Sequence, residues 1–327
     1  GSIFTAAGIN ILIGIICISM GRGDRQLVVS DSKIQRSKKD KKPKHTEFIL
    51  TEDKTIIMLS LWIFGISGFC SMAYEVFWTR LLGLIMGPTT YSFSLVVSTF
   101  IIGLALGNLI FGWLADRIKD SFRLLVITQA CAAFLALLVS QFLGNSQFFF
   151  SKLLYTFQGE FSEKILVQSV VLFFILVGPT IFLGATFPLV NRIYARSLQA
   201  LGKSIGTAYA VNTIGAILGS FAAGFILIPL LGKENGIRMT AGLQIFTSIL
   251  AMAYMIMRTG ERIRGFITSS ITLSLGLLLL IYFPSWNHNI LARGWYHQFK
   301  SFEQYFSTTS WFEALWKGTS KFAEHVA

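Results

Sequence analysis

Glu75 and Arg80 stand five residues apart, with Trp78 between them, in a run from Lys54 to Met86 that is otherwise almost wholly apolar. A carboxylate deep in hydrocarbon costs about 2.5–3.5 kcal/mol even on insertion scales, so it needs a partner or a task. Five helical residues bring Arg80 near Glu75 but not onto its face. Two readings stay open: an ion pair or hydrogen bond that ties helices together, or a site for a substrate, a proton or a small cation. Asp116-Arg117 closes a second apolar run, and Tyr209 and Asn212 lie beside a line of glycines in a later one. Outside the apolar runs no Ser-His-Asp, Cys-His or paired-carboxylate set can be assembled. After residue 285 the only glycines are Gly294 and Gly318, so there is no Gly-x-Gly nucleotide turn. Cys17, Cys70 and Cys131 fall inside apolar runs and the four His are scattered, which is neither a disulfide framework nor a metal spacing. No catalytic residue, metal or cofactor is expected in this chain.

Composition says what must position these residues. Of 327 residues 53% are hydrophobic and 13% charged, and mean hydropathy is +0.63. Soluble domains carry about 25% charged residues. The sequence therefore predicts an all-α, polytopic bundle whose first partner is a lipid bilayer. The net charge of +12 sits in the connections between apolar runs. That pattern is explained by membrane topology, and no nucleic-acid partner is expected.

The apolar runs, each near the 20 residues that cross a hydrocarbon core, are 3–20, 54–86, 91–111, 122–143, 164–190, 204–231, 236–257 and 265–283. Eight transmembrane helices are predicted, with a kink or break at Pro179 or Pro188. An offset of 112 residues lays Arg80 over Arg192, Gly103 over Gly215, Gly107 over Gly219 and Gly112 over Gly224. Three helices separate the copies, so the second enters the membrane from the opposite side. That is the inverted 3+3 repeat of one half of a major-facilitator-type bundle. The six glycines are expected to let helix backbones approach closely.

Basic residues set the expected orientation. One set of connections carries nineteen Lys or Arg, ten of them in the stretch 21–54, while the alternating set carries four. The positive-inside rule makes the first set cytoplasmic. The protein is thus expected to be a multi-pass cell-membrane protein with residues 21–53 cytoplasmic. By parity, 285–327 lie outside, where their many Trp, Tyr and Phe suit headgroup depth.

YEVFWTRLLGLIMGPTTYSFSLVVSTFIIGLALGNLIFGWLADR (74–117), GATFPLVNRIYAR (184–196) and GKSIGTAYAVNTIGAILGSFAAGFILIPLLG (202–232) resemble the membrane part of the fused spermidine-synthase-like proteins. The resemblance covers roughly residues 54–300. It implies that a soluble aminopropyltransferase-like domain follows the last helix, that residues 1–20 are the last helix of an upstream half-bundle, and that both of those partners lie outside this chain. The implied order is then a basic linker at 21–53, a six-helix half-bundle at 54–258, an additional helix at 259–284 and an aromatic tail at 285–327. Gly112-Trp113-Leu114-Ala115-Asp116-Arg117 also resembles the cytoplasmic loop motif of major facilitators, in which the Asp clamps neighbouring helix ends; Lys119 stands where that motif has Gly. Two functions are expected from this reading. One is a membrane anchor or substrate route for the soluble domain. The other is a major-facilitator-type transporter of a small solute, a cation being one candidate.

Overall fold

The structure, a computed structural model, describes residues 54–87, 89–118, 120–157, 161–194 and 201–259, with isolated positions before and after them. Of the helices expected at 3–20 and 265–283 only isolated positions are described, all of them helical; the linker 21–53 and most of the tail lie outside the described residues. Every described element is a helix: α1 Lys54–Ile85, α2 Thr90–Arg117, α3 Ser121–Gly144, α4 Gln147–Thr156, α5 Phe161–Gly184, α6 Thr186–Tyr194, α7 Leu201–Ala222 and α8 Ile228–Thr259. A π-helical segment, Ala223–Leu227, joins α7 to α8.

Five helical stretches are long and apolar enough to cross a membrane: Thr55–Ile85, Thr90–Arg117, Ser121–Gly144, Glu163–Tyr194 and Ser204–Met257. The last has 54 residues. It is interrupted at Gly232, whose φ of 77° and ψ of 174° are not helical and are reached most cheaply by glycine. The chain doubles back there, because an added Cβ on Gly236 would lie 3.6 Å from Leu227 Cβ. Residues 201–231 and 233–259 are thus two arms, and the runs predicted at 204–231 and 236–257 fall one in each.

Local chemistry explains the other boundaries. Gly87 turns the chain with φ of 92°, and Thr89 caps α2 by accepting from Ser92 N. Asp120 Oδ1 accepts from Arg123 N at 2.9 Å and starts α3. Of the two predicted breakers, Pro188 is the one that breaks. The helix is interrupted at Ala185, where Pro188 has no N–H for the Gly184 carbonyl and its ring crowds that turn. Pro179 stays inside α5, beside Thr180, whose hydroxyl donates back to Val177 O at 2.9 Å. The loop expected at 144–164 contains α4, ten residues long and too short to span.

The helices pack in pairs: α1 against α7, α2 against α5, and α3 against α8. Shifting by 112 residues turns α1 into α5–α6, α2 into α7 and α3 into the second arm of α8. The pairing maps onto itself: α1 with α7 becomes α5 with α2, and α3 with α8 is its own image. The closest approaches obey the same rule. A Cβ on Gly107 would collide with the Ile181 carbonyl, and one on Gly219 with the Phe69 carbonyl. Each contact is the other's image, since 112 added to 69 and 107 gives 181 and 219. Gly103 meets the Thr180 side chain and Gly215 the Gly65 carbonyl, close approaches along the same two seams that are not images of each other. The other two predicted packing glycines are different. Gly112 has only Pro188 Cβ at 3.7 Å, an ordinary contact, and Gly224 has nothing within 4 Å. Of the six predicted glycines, four make close approaches to a facing helix.

Candidate functional site

α1 presents two working faces. Tyr74, Phe77, Trp78, Leu81 and Leu82 are fully buried in the bundle core. Trp78, singled out in the sequence for lying between two charges, belongs to that core. It stacks on Tyr74 with centroids 5.4 Å apart, and its indole N–H donates to Ser140 Oγ at 3.0 Å. On the other face, Phe64, Ser67, Gly68, Ser71 and Met72 line a cavity of about 330 Å³, open on one side, between α1, α2, α5–α6 and α7. Its remaining polar groups are Asn108 from α2 and Asn212 from α7.

Behind the cavity lies a buried hydrogen-bond chain. Gln129 of α3 is 1% exposed and Gln244 of α8 0%. Gln244 Nε2 donates to Gln129 Oε1 at 2.8 Å, joining the two helices at their crossing. Gln129 Nε2 donates to Ser67 Oγ at 3.1 Å and to Thr186 Oγ1 at 2.9 Å. Tyr74 OH donates to Gln244 Oε1 at 3.1 Å. The Thr186 hydroxyl gives its one proton to Leu183 O at 2.9 Å, so Ser67 must be the donor in the 3.2 Å contact between the two hydroxyls. Both Gln129 amide protons are occupied, which fixes the orientation of that amide. Thr186 is Tyr74 shifted by 112 residues, so positions related by that offset hold the two glutamines. Ser67 belongs to both this chain and the cavity wall, linking the two.

These glutamines, Ser67 and Thr186 were not among the residues the sequence singled out. The available signal was spacing: Gln129 and Gln244 lie 115 residues apart, three from the repeat offset. Of the singled-out polar residues, Asn212 lines the cavity and its amide and carbonyl oxygens press against Gly68. Tyr209 is 62% exposed and away from it. Glu75 and Arg80 do not form the ion pair left open by their spacing. The half-buried Glu75 carboxylate has no hydrogen-bond or ion-pair partner among the described residues, while Arg80 is exposed and lies within electrostatic reach of Lys233.

At one end of the bundle Asp116 Oδ1 meets Arg192 Nη1 at 2.5 Å, tying the end of α2 to α6. Arg117 turns back instead, its guanidinium 3.7 Å from the Trp113 ring centroid. Asp116 is 77% exposed and Arg192 41%, so the pair contributes at most about 1 kcal/mol of stability. Asp116→Asn should accordingly shift the thermal unfolding midpoint little. If the pair orders the two helix ends, the charge-swapped Asp116→Arg/Arg192→Asp protein should recover the protease resistance of this end that either single change loses. Equal protease resistance in all four proteins would remove any clamping role.

At the opposite end Glu234, 6% exposed, receives Arg238 Nη2 at 2.7 Å, His288 Nε2 at 2.9 Å and the Trp286 amide at 3.2 Å. Trp286 is itself buried, with its indole packed where a Cβ on Gly144 would sit. Trp311 lies against Phe149 and above Lys152. The described tail residues therefore rest on α3, α4 and the second arm of α8. The sequence pointed to headgroup depth for those rings; Trp286 and Trp311 have protein partners.

Among the described residues, fold and site together define an all-helical bundle with membrane-length apolar helices around a mainly apolar cavity that carries a few polar side chains. No protein-family model, curated protein or solved structure matches the chain. Among the described residues no three His, Cys, Asp or Glu side chains are grouped as a metal site would require.

Proposed function

We propose that this chain contributes one half of a major-facilitator-like bundle, an inverted repeat of three and three helices, and that the cavity is its share of a path for a small solute. The observation that supports this is the exchange of helix pairs under the 112-residue shift, with Gly107 on Ile181 and Gly219 on Phe69 as mutual images. Inverted repeats place the binding site at their interface, and the cavity lies between helices of both triplets. The connections bearing Arg117 and Arg192 are taken as cytoplasmic, following their basic excess.

A second reading assigns the same cavity to a fused protein. The stretches 74–117, 184–196 and 202–232 resemble the membrane part of spermidine-synthase-like fusions. In that setting the bundle anchors a soluble aminopropyltransferase-like domain or delivers its substrate. Both readings need a cavity that water-borne molecules reach.

Cysteine accessibility tests that need. In a protein lacking Cys17, Cys70 and Cys131, Ser71→Cys and Asn108→Cys should react with a water-soluble maleimide at least about tenfold faster than Thr128→Cys or Ser140→Cys, because reaction requires a hydrated thiolate. Thr128 and Ser140 are buried in the core. Equal, slow labelling at all four positions would show a dry seam and end the proposal.

A further inference from the structure

Among the described residues, no charged side chain lines the cavity between α1, α2, α5–α6 and α7. Glu75 stands on α1 one turn beyond Ser71 and is not part of the lining. The walls offer neutral hydrogen-bonding groups instead. Ser67 gives its proton to Thr186 and accepts one from Gln129. A hydroxyl oxygen has two lone pairs, so Ser67 keeps an acceptor position and has no donor left. Asn212 sets its Oδ1 against Gly68, which leaves its amide protons to give. Those protons, the Ser71 hydroxyl and the exposed Asn108 amide make no hydrogen bond to a described residue. Ser67 and Ser71 are four residues apart and share one face of α1.

Three helices thus bring unused donors and acceptors to one space without a net charge. An ion entering that space gives up water and meets no counter-charge, which is costly whatever its sign. A hydroxyl group meets no such cost. It both donates and accepts, so hydroxyls can serve the open acceptor on Ser67 and the open donors on Asn212 alike. The rest of the wall is apolar: Phe64 and Phe187 pack with ring centroids 6.1 Å apart, and Leu104 and Leu183 complete it. At about 330 Å³ the cavity lies at the small end of ligand sites. We infer that the cavity selects a small neutral polyol with an apolar face, its hydroxyls on the serine and asparagine groups and its carbon skeleton against the phenylalanines, and that it rejects ions of the same size. This inference rests on the reading of the cavity as a solute path and names the class of solute.

The test titrates the purified full chain in a calorimeter with cis-1,2-cyclohexanediol. Its charged counterparts are 2-aminocyclohexanol, a cation of nearly the same shape, and 2-hydroxycyclohexanecarboxylate, an anion. The diol should bind at least about tenfold more tightly than either ion and raise the thermal midpoint. Asn108→Leu and Asn212→Asp should each weaken diol binding by about fivefold or more, the loss expected for one or two hydrogen bonds. Asn212→Asp should also turn the preference towards the amino alcohol, which a merely damaged fold would not do. Asn108 is exposed, so Asn108→Leu decides the matter should Asn212→Asp fail to fold. No diol binding, an ion bound as tightly as the diol, or unchanged diol affinity in the folded variants overturns the inference. The maleimide experiment separates the two levels. Rapid labelling at Ser71→Cys without a preference for the diol leaves the solute path standing and removes the neutral polyol, whereas a dry cavity removes both.

Discussion

Gly107→Val and Gly219→Val should each prevent the purified protein from reaching a monodisperse folded state. The added Cβ would overlap a main-chain carbonyl oxygen, of Ile181 in one case and Phe69 in the other. Backbone cannot swing aside as a flexible side chain can, so two helices must separate along the seam. Over-filled cores lose about 1–3 kcal/mol, and more where backbone must move. A whole helix pair is at stake here, so a loss of about 3 kcal/mol or more is expected. The two variants should fail alike, because the contacts are images of each other. Gly112→Ala and Gly224→Ala are the contrast. Neither position is crowded, and replacing a helical glycine gains about 0.5–1 kcal/mol. Size-exclusion profiles and thermal unfolding in detergent decide it. A Gly107→Val protein with the wild-type midpoint would show that the α2–α5 approach is looser than described.

Gln129→Leu should cost about 3 kcal/mol. It removes three hydrogen bonds, to Ser67, Thr186 and Gln244, from a side chain that is 1% exposed. Interhelical bonds in membranes average about 0.6 kcal/mol each, but an orphaned buried polar group adds about 1–3 kcal/mol. The orphan here is the Gln244 amide. A double-mutant cycle isolates that part. If the orphan dominates, Gln129→Leu/Gln244→Leu should be less damaging than the sum of the single changes by about 1–2 kcal/mol. Strict additivity would mean that the two amides act independently across the helix crossing.

Much of this architecture is written in the apolar runs. The ends of α1, α3 and the Glu163–Tyr194 span lie within a few residues of the predicted runs, because length and hydropathy decide them, while α2 runs on past 111 to Arg117. The close approaches at Gly103, Gly107, Gly215 and Gly219 were legible because a missing side chain there is a requirement of packing. The amide pair was not. Gln129 and Gln244 are each one polar residue in an apolar run, and nothing local says that they meet. Only a three-dimensional register brings α3 onto α8. The Glu75–Arg80 question was undecidable for a related reason. Five residues leave two side chains near each other but on different faces, and the pairing depends on neighbours contributed by distant helices. α4 was missed because ten residues give too little periodicity to separate a helix from a polar loop.

The exchange of helix pairs also bears on how the chain is made. α1 finds its main partner, α7, about 150 residues later, and α2 finds α5 about 75 residues later. At the pace of synthesis, several residues to about twenty per second, α1 stands without α7 for many seconds. During that interval the Gly65–Phe69 edge of α1 has no helix to meet, and Gln129 has no Gln244. Assembly of these helices is therefore late and non-local, with α1 and α2 unpaired until α7 and α5 arrive. Biogenesis, more than the finished fold, is where a polar residue such as Gln129 is most exposed to lipid.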